Sequence, residues 1–176
     1  WPMKKLTLVV MLFTLFVLTS NRVEKKLEIP EESIRFRVIA SSNSEEDQRT
    51  KELVKEAVQE ELYRSLMKSD NIEEARQITT EKLPEYRHIV EQTLEGTENK
   101  FTIDYGLNYF PEKMYNGIHY PPGKYESLVI TLGKGQGDNW WCVLFPPLCL
   151  LEATESSNSE DIEYSFFFQE ILDKYF

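Results

Sequence analysis

Two histidines and two cysteines are the side chains of this chain best suited to nucleophilic catalysis or metal binding. His119 follows a tyrosine-rich stretch, and Cys142 lies in an apolar strand-like run. A thiol nucleophile with an imidazole base is one interpretation of this pair, and it would make the chain a secreted or anchored cell-envelope hydrolase. His88 falls among charged residues on a predicted helix, which is typical of a solvated histidine.

Other chemical motifs fit poorly. Cys142 and Cys149 have six residues between them, more than the two to four usual in zinc sites, so we predict no metal. Gly133, Gly135 and Gly137 precede a predicted strand, whereas a phosphate loop opens a helix. The sequence therefore predicts no cofactor and a flexible loop at these glycines.

Acids and serines give no catalytic pattern either. Adjacent carboxylates such as Glu45 and Glu46 point to different sides of a helix, which is typical of a solvated surface. Ser127 lies within a predicted strand and has no nucleophile elbow around it. We therefore predict no catalytic residues and expect the chain to act by binding.

The two cysteines are also candidates for a disulfide. A fully extended chain would hold Cys142 and Cys149 about 23 Å apart, and a bridge needs their Cα atoms within about 7 Å. A bond requires the chain to reverse at residues 145–148, where Pro146 and Pro147 favour a turn. The alternative is that Cys142 is simply a small buried apolar residue.

The element that must position Cys142 and Cys149 spans residues 121–150. The run KYESLVITL alternates at period two, and NWWCVLF is apolar on both faces. We predict a hairpin of two strands, with the Trp-Trp-Cys strand at the centre of a sheet covered on both sides. Pro146 and Pro147 end that strand.

The remaining chain predicts an α+β fold, with a mixed or largely antiparallel sheet covered by helices. A first strand covers 34–40, and Ser44 caps a helix that continues to about Lys68. A second helix begins near Asp70 or Asn71 and is interrupted at Pro84. Further strands are expected at 101–110 and 114–120, and a closing helix at 162–176.

Residues 1–20 have the order of an export signal, with Lys4 and Lys5 before thirteen mainly apolar residues. Both a cleaved signal peptide and an uncleaved membrane anchor stay open. We predict a tether at 21–33 and one globular signalling domain at 34–176. Without residues 1–20 the chain has 18 basic and 30 acidic residues, a net charge of −12, which argues against binding nucleic acid or anionic lipid.

Aromatic residues concentrate in the last third of the chain, and such side chains are favoured both in cores and in interfaces. We expect at most one of Trp140 and Trp141 to be exposed. Loops on a rigid scaffold are the better candidates for contact with a partner. The predicted partner-binding residues are Lys134, Gln136, Asp138, Asn139, Tyr115, Tyr120 and Trp140.

The runs GKGQGDNWWCVLFPPLC, FPEKMY, YPPGKYESL and IRFRVIASSNSEEDQRTK, with the apolar N-terminus, resemble the stage II sporulation protein R family (SpoIIR). The resemblance implies a non-enzymatic protein exported from the forespore into the space between forespore and mother cell. It further implies that the partner is the membrane-embedded aspartic protease SpoIIGA, contacted on its extracytoplasmic side. That protease processes the precursor of the mother-cell factor sigma-E.

Overall fold

A computed structural model describes residues 27–28, 32–97, 100–115, 118–149 and 174. The predicted export segment, most of the tether and, except for residue 174, the closing helix at 162–176 lie outside the described residues. Within them the chain has three helices and two sheets, so the predicted α+β class is confirmed.

The elements follow one another in a simple order. A two-residue strand β1 (Leu27–Glu28) precedes β2 (Ile34–Ile39), and three helices then follow, α1 (Glu45–Leu66), α2 (Ile72–Glu81) and α3 (Leu83–Thr93). The remaining strands are β3 (Phe101–Phe110), β4 (Lys113–Tyr115), β5 (Ile118–Tyr120), β6 (Gly123–Leu132) and β7 (Asn139–Phe145).

The helix boundaries follow local sequence signals. The Ser44 side chain accepts a hydrogen bond from the Asp47 backbone N–H, and the Asn71 side chain does the same for Glu74. Pro84 lies in the first turn of α3, where its missing N–H costs nothing, so it separates α2 from α3 as predicted.

Four strands form the main sheet in the order β3-β6-β2-β7, and three form a small sheet in the order β1-β5-β4. The predicted hairpin of β6 and β7 is wrong. Strand β2 lies between them, parallel to β6 and antiparallel to β7. The Trp-Trp-Cys strand is therefore the last in the order of described strands, and its predicted central position is not confirmed.

The main sheet has two covered faces. The helices pack on one, the helix face, where Ile34, Phe36 and Val38 of β2 join a buried cluster with Val54 and Leu62 of α1. The opposite face carries Arg35, Arg37, Tyr125 and Trp141, and we call it the arginine face. Tyr120 of the small sheet packs against Trp141 there, with ring centroids 5.5 Å apart. Strand β7 is apolar on both sides because each side packs against a different layer.

Helix α1 buries a narrower stripe than its sequence predicts. Leu53 and Met67, expected to face inward, are 52% and 47% exposed. Lys51 and Glu61 are buried in their place, and both have polar partners on the helices. Helical spacing identifies the apolar side of α1, but long polar side chains can pack along its margin with their charged ends hydrogen-bonded.

Candidate functional site

The loop at residues 133–138 is tied to the segment at residues 40–44 along its whole length. The backbone N–H groups of Gln136 and Gly137 donate to the carbonyls of Ser41 and Ala40, at 3.1 and 2.9 Å. The Ala40 N–H donates in return to the Asp138 carbonyl at 3.3 Å. We call these two segments together the paired loops. They are a fixed platform, and the flexible hairpin loop predicted here is wrong.

Side chains add to this platform. The Asp138 backbone N–H donates to Asn43 Oδ1 at 2.6 Å, and Asn43 Nδ2 donates to Asp138 Oδ1 at 3.4 Å. Ser42 Oγ accepts from the Ser44 N–H and donates to Asp47 Oδ2. The same residues that start α1 therefore hold the loop that leads into β7.

Two glycines allow this close approach. Gly133 has φ +51°, and a Cβ there would collide with the Ser41 side chain. A Cβ on Gly137 would collide with the backbone carbonyl of Ser42. These glycines are needed because the paired loops pack backbone against backbone.

Four of the predicted partner-binding residues are exposed on the paired loops or at the start of β7: Lys134, Gln136, Asp138 and Asn139. Trp140 is half-buried on the helix face, 5.8 Å from the Phe36 ring and 5.2 Å from Lys55 Nζ. The structure brings these five residues together.

The other two predicted residues lie elsewhere. Tyr120 is only 2% exposed, so its ring belongs to the packing of the small sheet on the arginine face, and its prediction as a surface contact residue is corrected. Tyr115 lies in β4, paired with Ile118 of β5. Strands β4 and β5 are too short for alternating polarity to indicate which of their sides faces the main sheet.

Cys142 and Cys149 are joined by a disulfide, with their Cα atoms 5.2 Å apart. The chain reverses between them through a turn at residues 146–148. Cys142 is fully buried and has no thiol, so the interpretation of Cys142 as a nucleophile is wrong. His119 Nε2 lies 2.8 Å from Glu112 Oε1. Among the described residues, no group of three or more His, Cys, Asp or Glu is placed to hold a metal.

Arg35 is the largest fully buried side chain of the described fold. Its guanidinium carbon lies 3.4 Å from the centroid of the Tyr125 ring, 4.8 Å from Trp141 and 5.0 Å from Phe110. Burial lowers its pKa to about 10, which leaves it charged at neutral pH. The sequence does not predict the burial of Arg35, because an arginine alternating with apolar residues on a strand indicates a solvent-facing side.

An ion-pair cluster joins the helices to the sheet. Arg76 of α2 donates to Glu126 of β6, and the Tyr105 hydroxyl of β3 donates to the same carboxylate at 2.6 Å. Lys82 donates to Glu61 and Glu85, and these hydrogen bonds raise its pKa above the ordinary lysine value. The Arg76–Glu126 pair therefore holds α2 on the sheet, and the Lys82 pairs hold the junction of α2 and α3 on α1.

Within the described part of the chain, no helix has the length and apolar character needed to cross a membrane.

Comparison with known proteins places these features in a family. The family model for stage II sporulation protein R matches residues 30–155, which include the paired loops, the disulfide and the arginine face. A curated stage II sporulation protein R from Bacillus subtilis (strain 168) is 42% identical over 137 residues. The match covers 77% of this chain and 60% of that relative's length. A search of solved structures found no match.

Proposed function

This chain belongs to the stage II sporulation protein R family, and from that membership we propose that it is a secreted sporulation signal without enzymatic activity. In this proposal it crosses the forespore membrane into the intermembrane space. There it activates SpoIIGA, the membrane-embedded aspartic protease that processes the sigma-E precursor. The observation that carries the proposal is the family match over residues 30–155, nearly the whole described fold.

The disulfide supports the export step. Disulfides form and persist in oxidising compartments and are rare where thiol reductants are abundant. Cys142 and Cys149 are the only two cysteines of the chain, and both are used in this bond. A folded body closed by such a bond suits a protein that works outside the cytoplasm.

Activation by binding needs only a difference in affinity. A ligand that binds the active state of the protease more tightly than the inactive state shifts the population toward activity. We propose that the paired loops make this contact, through Lys134, Gln136, Asp138 and Asn139. Their backbone is already fixed by hydrogen bonds to residues 40–44, so little conformational entropy is lost on binding.

Coexpression in a host that does not sporulate tests the proposal. The host would make SpoIIGA and the sigma-E precursor, with or without this chain. We expect cleavage of the precursor only when the chain is present. Cleavage at the same rate without the chain would contradict the proposal.

A further inference from the structure

Strand β3 has one open edge. It pairs with β6 along its whole length, and no described strand pairs with it on the other side. The Gly133 N–H donates to the Lys100 carbonyl at 2.6 Å, so even-numbered residues of this ladder point their backbone groups at β6. The backbone groups of the odd-numbered residues in 101–107 therefore point outward. The Tyr109 carbonyl is left out of this row, because it accepts a hydrogen bond from Arg37 Nη1 at 3.3 Å.

This edge lacks the features that usually keep a strand from pairing with another chain. Edge strands are commonly short or bulged, or they carry lysine or proline. Strand β3 has 10 residues in an unbroken register, and Asp104 is its one charged residue. Leu107 and Tyr109 are 74% and 61% exposed. A long regular edge with exposed apolar side chains is a template for a further extended strand.

The strand that fits this edge is a second copy of β3. An antiparallel pair centred on Tyr105 lays Ile103 of one copy opposite Leu107 of the other. The same pairing lays Phe101 opposite Tyr109. All of these residues are on the helix face, where Phe101 and Ile103 are half-buried against the core. Each exposed apolar side chain is thus covered by a half-buried one of the other copy.

Charge and backbone chemistry favour this register over its neighbours. Asp104 of each copy lies opposite Gly106 of the other, so no like charges meet. A Cβ at Gly106 would meet nothing closer than 3.9 Å, so the single chain has no steric need for glycine there. Sliding one strand by two residues sets Asp104 opposite Asp104, which is destabilising. Sliding it the other way sets Phe101 opposite Pro111, which has no N–H to donate.

We propose that this chain forms a symmetric dimer in which two β3 strands pair antiparallel about Tyr105. The two four-stranded sheets then become one continuous sheet, with an interface that uses the same residues of both copies. Without residues 1–20 each chain has a net charge of −12, so the copies repel at long range and the dimer should tighten as salt is added. This dimer does not depend on the proposed activation of a protease.

Sedimentation equilibrium of the exported chain, purified with its disulfide intact, tests the proposal at concentrations up to about 1 mM. We expect a reversible equilibrium of monomer and dimer, with a Kd that falls as sodium chloride is added. Amide hydrogen exchange then locates the interface. Protection of the Ile103 and Leu107 N–H groups should rise with protein concentration. Protection of the Asp104 N–H, which points at β6, should not change with concentration.

Two lysine variants separate this edge from other surfaces. Leu107→Lys places a charge on the edge at an exposed position, so the fold is kept and the Kd of the dimer should rise at least about tenfold. Leu53→Lys, at a 52% exposed position of α1, changes the net charge equally and is the matched control. It should dimerise like the unaltered chain.

The proposal is overturned if the chain stays monomeric over the whole concentration range. It is also overturned if Leu107→Lys and Leu53→Lys dimerise equally well. A dimer in which exchange at Ile103 and Leu107 does not depend on concentration would use another surface, and that result would contradict the pairing of β3 as well.

Discussion

Arg76 on α2 and Glu126 on β6 form a two-pronged ion pair. Arg76 Nε donates to both carboxylate oxygens at 2.9 Å, and Nη2 donates to Oε2 at 2.8 Å. Burial alone would raise the pKa of Glu126, but the hydrogen bonds from Arg76 and Tyr105 outweigh it and hold that pKa below its ordinary value. The pair fixes the middle of α2 on the sheet.

Replacing Glu126 by Gln should lower the free energy of unfolding by about 1–3 kcal/mol at pH 7, because Arg76 loses the more buried of its two carboxylate partners and the Tyr105 hydroxyl loses a charged acceptor. The folded-state pKa of Glu126 is depressed, so its contribution is present above the ordinary pKa and is lost as the pH falls through the folded value. Denaturant unfolding between pH 7 and pH 3 checks this.

The difference in the free energy of unfolding between the unaltered chain and Glu126→Gln should therefore narrow below about pH 4.5. Glu91→Gln, at an exposed position of α3, is the matched control and should follow the unaltered chain across the range. If this difference in the free energy of unfolding stays constant down to pH 3, the carboxylate charge of Glu126 is not what stabilises the fold.

The disulfide should contribute measurably to stability. Replacing both Cys142 and Cys149 by Ala is expected to lower the free energy of unfolding by about 2–3 kcal/mol, since the unfolded chain is no longer closed into a loop. Reduction of the unaltered chain should have a similar effect, and the same reductant should leave the double variant unchanged. Equal stability of the oxidised and reduced chains would contradict this.

Gly137→Ala should disrupt the paired loops, because its Cβ would meet the Ser42 carbonyl. We expect a loss of about 1–3 kcal/mol in the free energy of unfolding. Gly106→Ala is the control, since the nearest atom to a Cβ there is Asp104 Oδ2 at 3.9 Å. Thermal unfolding of the two variants compares them directly, and equal midpoints would show that the paired loops can separate at no cost.

The contact surface can be tested without disturbing the fold. Lys134→Glu and Gln136→Arg change exposed side chains whose backbone holds the loop, so stability should stay within about 0.5 kcal/mol of the unaltered chain. If the paired loops contact the protease, cleavage of the sigma-E precursor should fall at least tenfold. Arg87→Glu, a charge reversal on α3, should keep full activity. Unchanged cleavage with both loop variants, or an equal loss in all three variants, would show that the paired loops are not a specific contact surface.

Local patterns predict the elements of this fold well, because the signals lie within each element. The Ser44 cap, the break at Pro84 and the alternation in β3 each depend on residues a few positions apart. Which strands pair is a different question. Strand β2 lies between β6 and β7, although it precedes β6 by about ninety residues and β7 by about a hundred. No pattern within β6 or β7 indicates that neighbour.

Only part of the candidate site can be predicted from the sequence, again because local patterns do not report contacts between distant residues. Exposure of Lys134 and Gln136 follows from their position in a glycine-rich loop. The burial of Arg35 does not follow from its neighbours, since alternation assigns it to a solvent-facing side and only the packing of Phe110, Tyr125 and Trp141 encloses it. Tyr120 is buried for a related reason, because the small sheet folds back on the arginine face.

We propose that this chain acts from outside the cytoplasm by binding a protease. The most direct measurement compares precursor cleavage in the coexpression host for the full chain and for a chain lacking residues 1–20, at matched expression. We predict cleavage with the exported chain and none above background with the chain kept in the cytoplasm. Equal cleavage from both chains would contradict the account.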